Sequence, residues 1–158
     1  KFSDSPDKPV VVSPDLGSVN RARGFAQRFD APLAIVDKRR QKANVCEVMN
    51  IIGDVKGKDV ILVDDLIDTA GTVCNAATAL IENGAKDVYA CTTHAVLSGP
   101  AIERITNAPI KELVVLDTID LPSHKKIDKI KVMSVAPVFA EAIERIYEDL
   151  PMSTLFNM

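Results

Sequence analysis

Two adjacent acids follow an apolar stretch and precede a turn rich in hydroxyl groups. The four residues 60–63 are apolar, mostly β-branched and without alternation, which predicts a strand buried on both faces of a parallel sheet. Asp64 and Asp65 come directly after it. Because carboxylate oxygens accept hydrogen bonds and also bind divalent cations, a ligand at this point should offer hydroxyl groups or a metal ion.

The segment 68–72 has the composition of an anion-binding turn. The residues that follow, 73–81, have helical composition and spacing, so the turn is predicted to lie at the N-terminus of a helix. Free backbone N–H groups and the helix dipole favour an anion there. Gly71 would let the backbone approach the anion closely, and Thr69 and Thr72 add hydroxyl donors. No Gly-Lys-Ser/Thr follows, so the segment is not a nucleoside-triphosphate P-loop.

The acid pair and the anion-binding turn together indicate a phosphosugar ligand. Phosphate alone would be repelled by Asp64 and Asp65, whereas a ribose cis-diol can donate a hydrogen bond to each carboxylate. A 5-phosphate on the turn with the sugar hydroxyls toward the acids satisfies both halves. Acids at a strand end are often simply solvated, and a turn such as 69–72 is often an ordinary helix cap. Each of these interpretations is common alone, but for the combination of the two features they are a minority interpretation.

A cluster of cations forms a second candidate site. The run 38–42, Lys-Arg-Arg-Gln-Lys, has four cations in five residues and is followed by few apolar residues, which predicts a mobile loop. Composition alone favours a solvated charge run. Cations on a loop that closes over a site can, however, stabilise phosphate oxygens during group transfer, and the position after the second predicted strand favours that interpretation.

The order of elements predicts the fold class. Strand-like and helix-like stretches alternate, with helices as crossovers, which predicts one domain over residues 1–158: an α/β fold with a doubly wound, mainly parallel sheet flanked by helices. The predicted strands are 9–13, 33–37, 45–53, 59–63, 87–93, 110–116 and 127–134, and the predicted helices are 19–29, 73–81, a short one from Pro100, and 138–150.

Composition excludes several classes of protein. The chain has 158 residues with 47% hydrophobic content and a net charge of -3, which suits one domain with a sizeable core and argues against a general nucleic-acid binder. No apolar run approaches the roughly 20 residues needed to cross a bilayer, so we expect a cytoplasmic protein with no membrane or nucleic-acid partner. Cys46, Cys74 and Cys91 show no Cys-x-x-Cys spacing and are expected to be inert thiols.

Several segments resemble a known family. Residues 60–72 resemble the phosphoribosyl diphosphate loop of the type I phosphoribosyltransferase fold, and nearly the whole chain is similar to the C-terminal half of the ribose-phosphate pyrophosphokinases. The loop alone would fit many transferases, but the basic tripeptide after the second strand points to the kinase family. The further segments that carry the resemblance are Ser13-Pro14-Asp15-Leu16-Gly17 followed by Arg21-Ala22-Arg23, Lys38-Arg39-Arg40 after Ile35-Val36-Asp37, and Thr93-His94-Ala95-Val96-Leu97-Ser98-Gly99-Pro100.

The resemblance implies a reaction and a set of residues. The pyrophosphoryl group of Mg-ATP would pass to the anomeric hydroxyl of ribose 5-phosphate, giving 5-phosphoribosyl 1-diphosphate and AMP for nucleotide biosynthesis. Lys38 would be the catalytic residue, with Arg40 as a second catalytic group. Asp15 would contribute to a Mg²⁺ site, although a helix cap with Gly17 explains it equally well locally. The implied substrate-binding residues are Arg40, Asp64, Asp65, Asp68, Thr69, Ala70, Gly71 and Thr72.

The resemblance also implies partners that this sequence does not contain. The family has a preceding N-terminal domain, with a His for the Mg²⁺ site and much of the nucleotide site. We expect that domain to be absent from this chain, which should bind better than it catalyses. Family members form dimers stacked into hexamers, so a homo-oligomer is expected.

Two positions near the C-terminus carry a weaker implication. Ser153 and Phe156 resemble a family segment at a subunit interface that helps to bind a regulatory phosphate or nucleotide. Pro151 departs from the serine common there, and a frayed terminal segment is at least as consistent with the sequence. His94 is interpreted as structural, at a strand end and without a partner.

Two alternatives to the kinase stay open. A phosphoribosyltransferase of base salvage would use the same loop, and a requirement for ATP separates the two enzymes. A non-catalytic regulatory subunit could also be built on this fold. Retention of both Lys38 and Arg40 argues against an inactive subunit.

Overall fold

A seven-stranded sheet forms the centre of the computed structural model, which describes residues 9–39 and 48–156. The spatial order of the strands is β3-β2-β1-β4-β5-β6-β7. The strands are β1 (Val10–Ser13), β2 (Leu33–Arg39), β3 (Val48–Ile52), β4 (Asp59–Ile67), β5 (Asp87–Ala95), β6 (Ile110–Leu116) and β7 (Ile130–Met133). The helices are α1 (Val19–Arg28), α2 (Gly71–Glu82), α3 (Ala101–Asn107) and α4 (Ala136–Tyr147), with 3₁₀ turns at Ser123–Lys125 and Met152–Phe156.

The sheet confirms the predicted doubly wound α/β fold. Every neighbouring pair of strands is parallel except β2 and β3, which are antiparallel. The chain passes from β1 outward to β2 and later returns to place β4 on the other side of β1, so β1 and β4 flank a topological switch point. In open α/β sheets, ligands bind beyond the carboxyl ends of the strands at such a point.

The core lies on both faces of the sheet. A larger cluster, which includes Leu62, Leu80 and Leu113, packs beneath α2 and α3. A smaller cluster on the α1 side includes Val11 and Val63. Because neighbouring residues of β4 belong to opposite clusters, both faces of this strand are covered, as its unbroken apolar run predicts.

Strand β4 is longer than predicted. It continues beyond Val63 to Ile67, so Asp64 and Asp65 lie within the strand rather than after it. The extension pairs with β5, where Asp64 is opposite Thr92 and Ile67 is opposite Ala95. Pairing with a neighbouring strand therefore overrides the low strand propensity of two consecutive acids.

His94 is the penultimate residue of β5, close to the strand end, as predicted. The expectation that it has no partner is wrong, because its Nδ1 is 2.9 Å from the Thr118 hydroxyl oxygen. Residues 40–47, which include Arg40, Lys42 and Cys46, lie outside the described residues. In the part of the chain that the structure describes, no helix is long and apolar enough to cross a bilayer.

Candidate functional site

The predicted anion turn joins β4 to α2. Ala70 takes the N-cap position of α2 with φ 61°, in the left-handed region, and its buried methyl group packs into the core. Its carbonyl oxygen accepts a hydrogen bond from Cys74 N at 3.1 Å. Within the described residues no side chain caps this helix. The first N–H groups of α2 are therefore open to an anion, as the sequence predicts.

The β5–α3 connection and α3 brace this turn. Leu97 N donates to Ile67 O at 3.1 Å, and Ser98 N donates to Asp68 O at 3.0 Å. The Ser98 hydroxyl also donates to the Asp68 carboxylate. From α3, Arg104 Nη1 donates to Thr69 O at 2.9 Å. These bonds fix the shape of the turn, and the Asp68 carboxylate takes part in that bracing.

Gly71 and Arg104 lie close together at the start of α2. A β-carbon built on Gly71 would be 3.4 Å from Arg104 Nη1, which is ordinary contact. A methyl group would therefore fit at this position. The absence of a side chain on Gly71 leaves the backbone accessible to a ligand beside the Arg104 guanidinium group. The side chains of Thr69 and Thr72 are exposed at the same turn, so donors and a cation converge there.

The two acids of β4 are held from α1. Arg21 Nη2 donates to Asp65 Oδ2 at 2.7 Å, and Arg21 Nη1 lies 3.4 Å from Asp64 Oδ1. The same Asp64 oxygen accepts hydrogen bonds from Ser18 Oγ and from Asp65 N, both at 2.9 Å. Burial raises the pKa of the Asp64 carboxyl above its ordinary value, and the hydrogen bonds from Ser18 and Asp65 N partly oppose this effect.

Asp15 lies just beyond β1 and acts on the start of α1. Its Oδ1 accepts a hydrogen bond from Ser18 N at 2.8 Å, in the turn that precedes the helix. Ser18 is itself the N-cap residue of α1, and no side chain of the described residues caps the helix, so Asp15 orders this turn rather than capping α1. No hydrogen bond from the described residues reaches Asp15 Oδ2. The negative charge of Asp15 also contributes to the raised pKa of Asp64, which places both acids in the same electrostatic environment. The described residues contain no group of three His, Cys, Asp or Glu that could hold a metal ion.

The remaining predicted residues are placed only in part. The prediction of a loop from residue 38 is wrong for its first two residues, because β2 continues to Arg39 and the backbone of Lys38 is paired with Met49. Strands β1, β2 and β4 are parallel, so their carboxyl ends share one edge of the sheet. Ser153 and Phe156 lie in the 3₁₀ turn Met152–Phe156, beyond α4. The roles assigned to these residues stay predictions.

Four contributors to the site are absent from the predicted set. They are polar or cationic residues outside the acid pair and the anion turn: Ser18, Arg21, Ser98 and Arg104. Arg21 and Ser98 fall in segments that carry the family resemblance, which is the one sequence signal that could have singled them out. Their contacts join residues 30 to 46 positions apart, which local sequence patterns do not encode.

Solved structures first define the class of the fold. The structure is similar to an orotate phosphoribosyltransferase from Aeropyrum pernix, with a TM-score of 0.58 and 19% identity over 89% of this chain and 67% of the other. Similarity is greater to a phosphoribosylpyrophosphate synthetase from Mycobacterium smegmatis, with a TM-score of 0.84 and 39% identity over 94% of this chain and 47% of that one. The fold is thus that of the type I phosphoribosyltransferases.

The family follows from sequence comparison. The chain belongs to the family described as phosphoribosyl synthetase-associated domain, whose profile matches residues 39–157. It is 70% identical over 151 residues to a ribose-phosphate pyrophosphokinase of Caldanaerobacter subterraneus subsp. tengcongensis, covering 96% of this chain and 48% of the relative. It is 68% identical over 154 residues to one of Clostridium tetani, covering 98% and 48%. The chain spans about half the length of the curated relatives that it matches.

Proposed function

We propose that this chain is the ribose 5-phosphate-binding part of a ribose-phosphate pyrophosphokinase. The observation that carries the proposal is the position of two features at the switch point of the sheet: a pair of carboxylates lies in the carboxyl-terminal half of β4, and the uncapped N-terminus of α2 follows that strand. A phosphate suits the first and vicinal hydroxyls suit the second. Membership of the family adds the nucleotide as second substrate.

The mechanism that we propose is in-line transfer without a covalent intermediate. The 5-phosphate binds residues 68–72, with Gly71 and Thr72 donating backbone N–H groups, and the diol binds Asp64 and Asp65. The anomeric hydroxyl oxygen then attacks the β-phosphorus of ATP and its proton passes to solvent. The bond between the β-phosphorus and the oxygen that bridges it to the α-phosphorus breaks, and AMP leaves with that oxygen. Such a transfer depends on positioning and on charge stabilisation, which we assign to Lys38 and Arg40.

We assign Mg²⁺ to the neighbourhood of Asp15. Mg²⁺ usually binds one or two carboxylates together with waters and substrate phosphates, and Asp15 keeps one oxygen that no described residue occupies. The cation would neutralise charge on the transferring phosphates. In this arrangement Asp15 Oδ1 continues to hold Ser18 N, which fixes the start of α1 beside the site.

We further propose that residues 1–158 form one domain and that a preceding domain completes the nucleotide site. The length of the relatives, about twice that of this chain, supports this arrangement. ATP as substrate and assembly into a homo-oligomer belong to the same proposal. A requirement for ATP would separate this function from transfer of the sugar to a base.

The first test is binding of ribose 5-phosphate, measured by calorimetry with and without Mg²⁺. We expect saturable binding that requires the phosphate, with ribose as the control ligand. The double variant Asp64→Asn, Thr72→Val should bind at least about tenfold more weakly, a loss of about 1.4 kcal/mol. Thr78→Val is the matched control, because Thr78 lies on α2 and its hydroxyl donates to Cys74 O. A folded wild-type chain that does not bind ribose 5-phosphate would contradict the proposal.

A further inference from the structure

The orientation of the two acids requires an explanation. Successive residues of a strand direct their side chains to opposite faces of the sheet, so Asp64 and Asp65 would ordinarily diverge. Their like charges also favour separation. In the structure, however, both carboxylates contact the same guanidinium group, that of Arg21 on α1.

Protein groups contact one oxygen of each carboxylate. On Asp65, Oδ2 accepts from Arg21 at 2.7 Å. On Asp64, Oδ1 accepts from Ser18 and Asp65 N and lies 3.4 Å from Arg21. None of these hydrogen bonds uses Asp64 Oδ2 or Asp65 Oδ1, although the side chain of Asp65 is close enough to raise the pKa of Asp64. Each acid therefore keeps one oxygen that can accept a hydrogen bond from a ligand.

Arg21 is itself placed by the start of α1. Its Nη1 donates to Ser18 Oγ at 3.3 Å, one turn earlier on the helix. Ser18 in turn is held through its backbone N–H by Asp15. The guanidinium group thus has support from both α1 and β4, and its planar fork suits two acceptors at once.

We propose that Arg21 is a positioning residue of the sugar subsite. It holds Asp64 and Asp65 so that one oxygen of each carboxylate faces the ligand, and it thereby makes binding depend on two vicinal hydroxyls. This inference rests on the proposed function, because it assumes that the acids bind the sugar. It adds that selection of ribose over a 2-deoxy sugar depends on a residue that contacts the acids rather than the ligand.

The test compares three ligands by calorimetry on the 158-residue chain: ribose 5-phosphate, 2-deoxyribose 5-phosphate and inorganic phosphate. The wild-type chain should prefer the ribose ligand. In Arg21→Met we expect ribose 5-phosphate to bind about five- to tenfold more weakly, as for loss of a partly exposed charge-assisted contact, while the affinity for inorganic phosphate stays unchanged. The preference for ribose over 2-deoxyribose should fall with it.

Two further variants separate this role from simpler ones. Arg23→Met removes a neighbouring exposed cation of α1 that contacts Asn20 and should leave all three affinities unchanged. Arg21→Lys keeps the charge but offers a single ammonium group instead of a fork, so it should recover little of the lost preference.

The outcomes that would overturn the inference differ from those that would overturn the proposed function. An equal loss for all three ligands in Arg21→Met, or full recovery in Arg21→Lys, would show that Arg21 acts as a general cation. A wild-type chain that binds the two sugar phosphates equally, or neither of them, would overturn the assignment of the acids to the sugar itself, and this inference with it.

Discussion

At the scale of single residues, Cys91 shows how burial controls the protonation of a side chain outside the candidate site. It lies in β5 and lines a mainly apolar cavity of about 660 Å³ beside α1, together with Phe25, Ile61 and Val114. Burial raises the pKa of its thiol to about 11. Burial also raises the pKa of the Cys74 thiol. Both side chains are thus neutral thiols at physiological pH, consistent with the prediction of inert cysteines.

The raised pKa of Cys91 predicts how stability depends on pH. The unfolded thiol loses its proton near its ordinary value of 9.0, whereas the folded one keeps it until about 11. The folded state binds more protons in that interval, so stability falls as the pH rises through it. Urea unfolding should show the wild-type chain losing about 1 kcal/mol relative to Cys91→Ala between about pH 8 and about pH 10. A constant difference would contradict this account.

At the scale of elements, the sequence predicts the order of helices and strands but not every direction or length. The apolar run before Asp64 predicts β4, yet its extension to Ile67 depends on pairing with β5, which is a tertiary effect. The antiparallel direction of β3 is equally hidden, because periodicity carries no information on strand direction. The anion turn could be predicted, since composition and a following helix suffice. The contact of Arg21 with the acids could not, because it joins distant segments.

A substitution in the buried side of α2 should lower the free energy of unfolding without weakening the binding of ribose 5-phosphate. Leu80 is fully buried against the sheet, while its neighbour Ile81 is 37% exposed. Leu80→Ala should lower the free energy of unfolding by about 3 kcal/mol, through lost burial and a residual cavity. Ile81→Ala is the matched control and should cost less than about 1 kcal/mol. Because Leu80 lies two turns beyond the anion turn, the folded fraction of Leu80→Ala should bind ribose 5-phosphate as tightly as the wild-type chain, measured by calorimetry below its unfolding transition.

At the scale of the whole molecule, α4 carries an apolar row that the described residues leave uncovered. Phe139, Ile143 and Ile146 recur at helical spacing and are each 63–67% exposed. The charged residues Glu141, Glu144 and Arg145 lie on the other side of the helix, where Arg145 pairs with Glu141 at 2.7 Å. Among the described elements, α4 packs mainly against the turn Met152–Phe156. An amphipathic helix gains little stability unless its apolar face is buried.

This uncovered row predicts self-association of the 158-residue chain, in line with the homo-oligomer that we propose. Large contiguous apolar patches are rare on monomers and usually mark contact surfaces, and a second copy brings an identical row that can pack against the first. Sedimentation velocity should show a concentration-dependent dimer that the double variant Phe139→Ser, Ile143→Ser weakens by at least about tenfold, as expected when two buried apolar side chains of an interface are lost. Glu144→Ser, on the charged side, should leave association unchanged. A wild-type chain that stays monomeric at high concentration, or equal association in all three chains, would show that α4 does not mediate contact between copies.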